Sequence, residues 1–389
     1  MAIADDSGAP FLEPRHDKLL ARCRTMALKR LEPLNEAAEE DRDEASRKAV
    51  RILASEGLLK LLVPKAYGGA SAAIDHRAMV AAREGIAYAS AISHSAFAVQ
   101  GLGAIPIAIA GSEEQKREWL PQASSGRMIT AFALTEPEAG SDVGAIKTRA
   151  TRTARGWTLS GSKMYISNAG IADIYTVFAK TKPDAGHRGI SAFLVRAGKR
   201  GLKVEPQRML ANLPIGVLKF KDVKLREEDL LGKENEGFYT AMRTLDSLRP
   251  TVAAAACGVG RRALDEAVKR AKARRTFGQP IGQHQGVRWM LADGAVALRA
   301  SRLLTYRAAW LKDQGQERVS TEAAEAKLFA TETAQRLVDT ALQVHGAAGA
   351  VRDSVTAQMY REIRALRVYE GTSEILREVV GSKLLHGVD

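Results

Sequence analysis

Between about residues 128 and 225 the texture of this chain changes, and that change bounds the folds open to it. Before it, apolar residues repeat at helical spacing, as in Leu19, Leu20, Cys23, Met26 and Ala27. Residues 45–62 and an Ala/Ile-rich stretch from about 79 to 110 read the same way. Ser112–Gln115 is a capping box that opens the next helix, with Pro121 closing it. Within 128–225, short runs such as Ile129–Leu134, Trp157–Ser160, Tyr175–Ala179, Ile190–Arg196 and Val217–Phe220 alternate with turn residues. That is all-β texture, a small barrel or a sandwich. From about 236 long helical stretches return, over 237–256, 258–273, 286–313, 320–345 and 354–368, with a last helix after Thr372. Long helices on short connections favour a bundle. The division predicted is 1–127 helical, 128–235 β and 236–389 helical, an α+β chain that is mostly α.

Two of the late helices meet at Arg367–Ile375. Met359, Ile363 and Leu366 run into this junction, and Ile375, Leu376, Val379 and Val380 leave it on one face. Gly371 allows a tight turn, Thr372 or Ser373 can cap the new helix, and Glu374 suits its positive end. Glu370 then stands beside Tyr369 at the mouth of a helix. A carboxylate held partly out of water there is a usable base. Local features alone favour an exposed turn acid, because helix–Gly–Thr–Ser–helix is common punctuation.

Composition narrows the class. With 46% hydrophobic and 26% charged residues the chain is an ordinary globular one. Its two cysteines, Cys23 and Cys257, lie far apart in helical segments, which fits a reducing compartment. Asp5 and Asp6 stand where a leader's apolar core belongs, and no apolar run reads as membrane-spanning, so a cytoplasmic location is expected. The histidines show no metal-ligand spacing, so no metal is expected. The net charge of +13 invites nucleic acid, an anionic surface or an anionic ligand. The basic residues are scattered, and pairs such as Asp265/Lys269 and Glu266/Arg270 read as solvated helix faces, which argues against nucleic acid. Gly258-Val259-Gly260 sits inside a helical pattern and is no dinucleotide turn.

Five motifs in register resemble the acyl-CoA dehydrogenases over about residues 14–386. Tyr369-Glu370-Gly371-Thr372-Ser373-Glu374-Ile375 is similar to the segment that carries that family's catalytic base. Phe132–Asp142 leaves a β run for a Gly/Ser turn. The resemblance implies that Phe132, Leu134 and Thr135 line a flavin ring, while Gly140 and Ser141 hold its pyrophosphate and the edge of the thioester. Lys163–Ala169 carries Tyr165, where the family often has Trp stacked on the flavin, and Ser167 near the flavin N5 edge. Arg274, Thr276, Phe277 and Gln285 would reach the adenosine and pyrophosphate of a neighbouring subunit's flavin. Gln343, Val344 and Gly346 would approach it too, with Ala347 where the family more often has glycine. Thr372 and Glu374 fall among the expected FAD contacts. Leu245, Asp246, Arg249, Tyr369 and Gly371, with Ser141, are expected on the acyl-CoA side. Leu210–Gly216 and Leu225-Arg226 depart from the family pattern.

The resemblance implies two helical domains around a β barrel, FAD, a homotetramer built as a dimer of dimers, and an electron-transfer flavoprotein as acceptor. Glu370 would take the α-proton of an acyl-CoA while a hydride leaves Cβ, giving the 2-enoyl-CoA. Its presence at this position points to the short-, medium- or branched-chain branch, with alicyclic acyl groups also open. Two alternatives stand beside this reading. One is an acyl-CoA oxidase-like enzyme using oxygen; the other is a flavin-containing, DNA-binding protein of the alkylation-response type, suggested by the +13 charge.

Overall fold

The computed structural model describes residues 10–387, so the Asp5–Asp6 segment lies outside the described residues. In chain order come α1 (Pro14–Met26), α2 (Pro33–Ser55), α3 (His76–Ala87), α4 (Ala91–Ala110) and α5 (Glu113–Ser124). Eight strands follow: β1 (Thr130–Ala133), β2 (Arg149–Thr153), β3 (Gly156–Ser167), β4 (Ile174–Lys180), β5 (Ile190–Arg196), β6 (Leu202–Gln207), β7 (Ile215–Leu225) and β8 (Leu230–Leu231). Then α6 (Gly237–Ala273) leads to a hairpin of β9 (Arg275–Thr276) and β10 (Gln279–Pro280). The chain ends in α7 (Gln285–Asp313), α8 (Ser320–His345), α9 (Val355–Leu366) and α10 (Ser373–His386).

Four sequence readings are corrected, three here and one with the helical core below. Pro121 does not close α5 but lies inside it; its missing N–H removes one bond, while the Ser125 N–H and hydroxyl both reach the Pro121 carbonyl at 3.2 and 2.8 Å. The two helices expected over 237–256 and 258–273 are one. Gly258 serves close packing there, since a Cβ would stand 2.2 Å from the Glu84 carbonyl oxygen. And α4 is long and apolar enough to cross a membrane by length and composition alone, with 78% of its apolar window buried inside the protein.

The chain forms two compact units. One comprises the described parts of Met1–Glu32, His76–His94 and Arg249–Asp389. Its core is a small-residue seam. Ala253, Ala256, Ala263 and Ala267 of α6 meet Ala326, Ala330, Ala334 and Leu337 of α8, with Met359, Ile363 and Leu366 of α9 closing it. Alanine faces let helix axes approach, and the long apolar residues of α9 fill what remains. Asp265 and Glu266 do not pair four residues onward as expected. Asp265 takes Arg24 at 2.6 Å and Arg261 at 3.0 Å, while Glu266 takes Arg262 at 3.0 Å. A cation one turn earlier competes for each carboxylate.

The other unit, Pro33–Asp75 and Ser95–Leu248, carries one eight-stranded sheet in the order β6-β7-β3-β2-β4-β5-β8, with β1 parallel to β4. Trp157 and Phe193 pack edge-on in its core with ring centroids 5.5 Å apart. Gln100 ties α4 to β1, donating to Ala123 and Met128 carbonyls and accepting the Thr130 N–H at 3.1 Å. Gly103 makes that approach possible, since a Cβ there would sit 2.3 Å from Thr130 Cβ.

Candidate active site

The junction after α9 is clamped from α8 and α6. Arg367 Nε and Ser373 Oγ both donate to Glu332 Oε1, at 2.9 and 2.6 Å. Lys327 Nζ donates to the Gly371 carbonyl at 2.6 Å, and Arg249 Nε to the Glu370 carbonyl at 3.1 Å. Thr372 caps α10, its hydroxyl accepting the Ile375 N–H at 3.3 Å. Glu374 accepts from its own N–H and the Thr372 hydroxyl, which hold its carboxyl below the usual range. Between these anchors Glu370 and Gly371 adopt left-handed backbone, φ 55° and 102°. Such geometry is unfavourable for a glutamate by roughly 1 kcal/mol or more and persists because its neighbours hold it.

The strained residue is also the one with an idle carboxylate. Glu370 is half-exposed as a residue, but its Oε2 is sealed from solvent and finds no hydrogen-bond partner among the described residues. Burial pushes its carboxyl above the usual range, and Arg83, Lys327 and Arg249 pull it partway back. Burial drives Lys327 down to about 8, with Glu370 opposing, and drives the Tyr369 hydroxyl up to about 12, with Arg83 opposing. A carboxylate that is dry, unpaired and ringed by cations is suited to taking a proton from carbon.

Sequence reasoning named Arg249 but missed the other two cations that make this site. Lys327 lies in the alanine stripe of α8 (Ala323, Ala326, Ala330, Ala334), so its place on a buried face was readable from periodicity. Arg83, likewise, sits in the apolar run Met79–Ile86 of α3. Glu332, which takes Arg367 and Ser373, looked like any surface acid.

In the sheet-bearing unit the two expected flavin stretches are bonded to each other. The Met164 N–H donates to the Thr135 carbonyl at 2.9 Å, and Lys163 Nζ to the Leu134 carbonyl at 2.8 Å and Glu136 Oε1 at 2.7 Å. A register shift between Lys163 and Ile166 frees that N–H, and Tyr165, at φ 58°, turns its ring outward, 53% exposed. Phe132 packs on Phe178 with centroids 4.8 Å apart, and Ser167 ends β3 half-buried. Gly140 and Ser141 are exposed, with open space where a Gly140 Cβ would sit. Leu245 and Asp246 lie buried on α6 in this same unit.

In the helical unit, Phe277 is 94% exposed at the tip of the β9–β10 hairpin, where it and Gly278 have φ of 50° and 79°. Arg274 and Gln285 flank the hairpin, both exposed, with Thr276 half-buried on β9. Gln343 and Val344 end α8, and Gly346 caps it at φ 62°. These groups suit an FAD: open hydroxyls and N–H groups for phosphates, an outward aromatic for a ring face, and an orphaned buried His284 Nε2 beside the hairpin.

Residues 13–127 match the acyl-CoA dehydrogenase N-terminal domain, 131–223 the middle domain and 235–385 the C-terminal domain. The chain is 38% identical over 379 residues to a 3-(aryl)acrylate reductase of Clostridium sporogenes, covering 96% of this chain and 100% of that one. It is 39% identical over 381 residues to the mitochondrial short-chain specific acyl-CoA dehydrogenase of Sus scrofa, covering 96% and 91%. Among solved structures it resembles a chain from work on the electron transferring flavoprotein of Acidaminococcus fermentans, with TM-score 0.90, 33% identity, and 96% and 99% of the two chains covered.

Proposed function

This chain belongs to the acyl-CoA dehydrogenase family, FAD-dependent oxidoreductases acting on CH–CH bonds, and we propose that it oxidises a short- or medium-chain, branched or alicyclic acyl-CoA to its 2-enoyl-CoA. One observation carries the reading: the sealed, unpartnered Oε2 of Glu370 on a strained, doubly clamped loop. In this mechanism Glu370 takes the proton from Cα. An alkyl C–H is acidic enough only if the thioester oxygen is stabilised as charge develops, and the Glu370 N–H serves as one such donor. Arg83, Lys327 and Arg249 each favour the ionised carboxylate against its burial. Bound FAD supplies the two-electron acceptor. Phe132, Leu134, Thr135, Gly140, Ser141, Tyr165 and Ser167 would hold its ring and phosphates. Arg274, Thr276, Phe277, Gln285, Gln343, Val344 and Gly346 would serve a neighbouring subunit's FAD within a homotetramer; the 94% exposed Phe277 supports that role. Tyr369, Gly371, Leu245, Asp246 and Arg249 would line the acyl-CoA side, with Thr372 and Glu374 completing the FAD contacts.

The reading carries a three-domain division at 1–127, 128–235 and 236–389, a cytoplasmic location and reoxidation by an electron-transfer flavoprotein. The likeness to the Acidaminococcus fermentans chain supports that acceptor. The 38% identity to an arylacrylate reductase favours a second reading, in which the same groups run in reverse and Glu370 returns a proton to Cα. Mixing the flavin-loaded protein anaerobically with saturated acyl-CoAs, and the reduced protein with enoyl-CoAs, tests both. Bleaching by a saturated ester supports the oxidative direction, and recolouring by enoyl esters alone supports the reductive one. Silence in both arms defeats the proposal.

A further inference from the structure

Around Glu370 the buried polar groups do not cancel. Arg83 of α3 is 1% exposed, and its Nη1 donates to Thr251 Oγ1 at 2.7 Å. Its Nε finds no partner among the described residues. The neighbouring acid, Glu84, is not available to it: Glu84 Oε1 takes Arg302 Nε at 2.8 Å, and the Tyr306 hydroxyl takes Oε2. His94, in the first turn of α4, is 4% exposed, and its Nδ1 is likewise unpartnered. Arg83 acts electrostatically on His94, on the Tyr369 hydroxyl and on the Glu370 carboxyl, so these groups share one neighbourhood within one compact unit. Burial, with Arg83 adding to it, holds the His94 ring neutral, with its pKa down to about 3, against a backbone hydrogen bond that favours the charged form.

A buried guanidinium with an unspent N–H needs an anion or an acceptor. Glu370 supplies that charge only while ionised. Once it has taken a proton, Arg83 is left without its compensating charge. Arg83 Nε and His94 Nδ1 are then the buried polar atoms left unspent in the neighbourhood of the base.

We propose that Arg83 and His94 are specificity-determining residues that select an acyl thioester ending in a carboxylate. This rests on the reading of Glu370 as the base, since that reading sets the acyl chain beside it. A guanidinium takes a carboxylate in two parallel hydrogen bonds, which a methyl group cannot make, and a site built around buried donors rejects the analogue that leaves them bare. A tail bearing an ammonium group is excluded by the same cations.

The test compares succinyl-, glutaryl- and adipyl-CoA with butyryl-, valeryl- and hexanoyl-CoA in two assays. Flavin bleaching by the holoenzyme gives kcat/KM. Titration of Glu370→Gln holoenzyme, followed by the flavin spectrum, gives Kd without turnover. The expected result is a preference for the carboxylate-ended partner of at least about 30-fold in both. Arg83→Met should erase it, Arg83→Lys restore part of it, and His94→Leu reduce it. Equal or better binding of the methyl-ended esters overturns the proposal, as does a selectivity that Arg83→Met and His94→Leu leave unchanged in folded, flavin-loaded protein. Should Arg83→Met not fold, His94→Leu and the wild-type preference decide it. If nothing bleaches yet the carboxylate-ended esters bind selectively, the dehydrogenase reading fails and this one stands.

Discussion

Replacing Lys327 with Met removes a buried charge beside Glu370 and the donor that holds the Gly371 carbonyl. The hydrogen bond is 2.6 Å long, and its loss leaves a half-buried carbonyl unpaired at a cost of about 1–3 kcal/mol. The electrostatic effect is separate. Lys327 is one of three cations lowering the Glu370 carboxyl against its burial, and with a pKa of about 8 it is mostly charged at neutral pH. A close opposite charge favours a carboxylate's ionised form, and Arg83 and Arg249 still do so in the variant. Removing the third cation disfavours the ionised form, so the Glu370 pKa moves further up. Flavin reduction needs ionised Glu370, so its rate falls as pH drops through that pKa. Stopped-flow bleaching across pH should therefore show the acid limb of Lys327→Met displaced upward. An unmoved or lowered limb, in a variant that keeps its fold and flavin, would refute the claim that Lys327 sets the ionisation of the base.

Three further outcomes follow from the same physics. Lys163→Met strips the buried Glu136 of its one side-chain cation among the described residues and leaves the Leu134 carbonyl bare, so it should cost about 3–5 kcal/mol in denaturant unfolding and weaken FAD retention. In the wild type, burial lowers the Lys163 pKa from 10.5 to about 8, so the folded state sheds that proton first. Its contribution to stability should rise between those pH values, and Lys163→Met should lack that rise. Gly103→Ala places a Cβ 2.3 Å from Thr130 Cβ, so α4 and β1 must part. Thermal melts should show a loss of about 1–3 kcal/mol, and an unchanged melt would mean the helix shifts freely.

The order of helix and strand was legible because period and turn residues are local signals. α7 and α8 fall within a residue of their expected limits for that reason. The expected break in α6 failed because Gly258 answers to a tertiary neighbour, the Glu84 carbonyl, that no local pattern reveals. The junction around Glu370 was visible as helix punctuation, and a cap at Thr372 or Ser373 was read from the residues alone; the structure gives it to Thr372. What makes the junction a site was not. Arg83, His94, Lys327 and Glu332 come from three helices far away in sequence; Arg83 and Lys327 act electrostatically on the base, while Glu332 anchors Arg367 and Ser373. Spacing carries no trace of that. The bulge that turns Tyr165 outward was hidden too, because it depends on pairing with β7.

The central claim is that the Glu370 carboxylate removes the α-proton. The most direct measurement is the rate of flavin bleaching with the best ester and its α-deuterated form, in wild type and in Glu370→Gln loaded with FAD and shown to bind that ester. The account predicts a primary isotope effect in the wild type and bleaching slowed by at least about 100-fold in the variant, with binding retained. Bleaching by Glu370→Gln at a rate near that of the wild type would contradict it and place the base elsewhere.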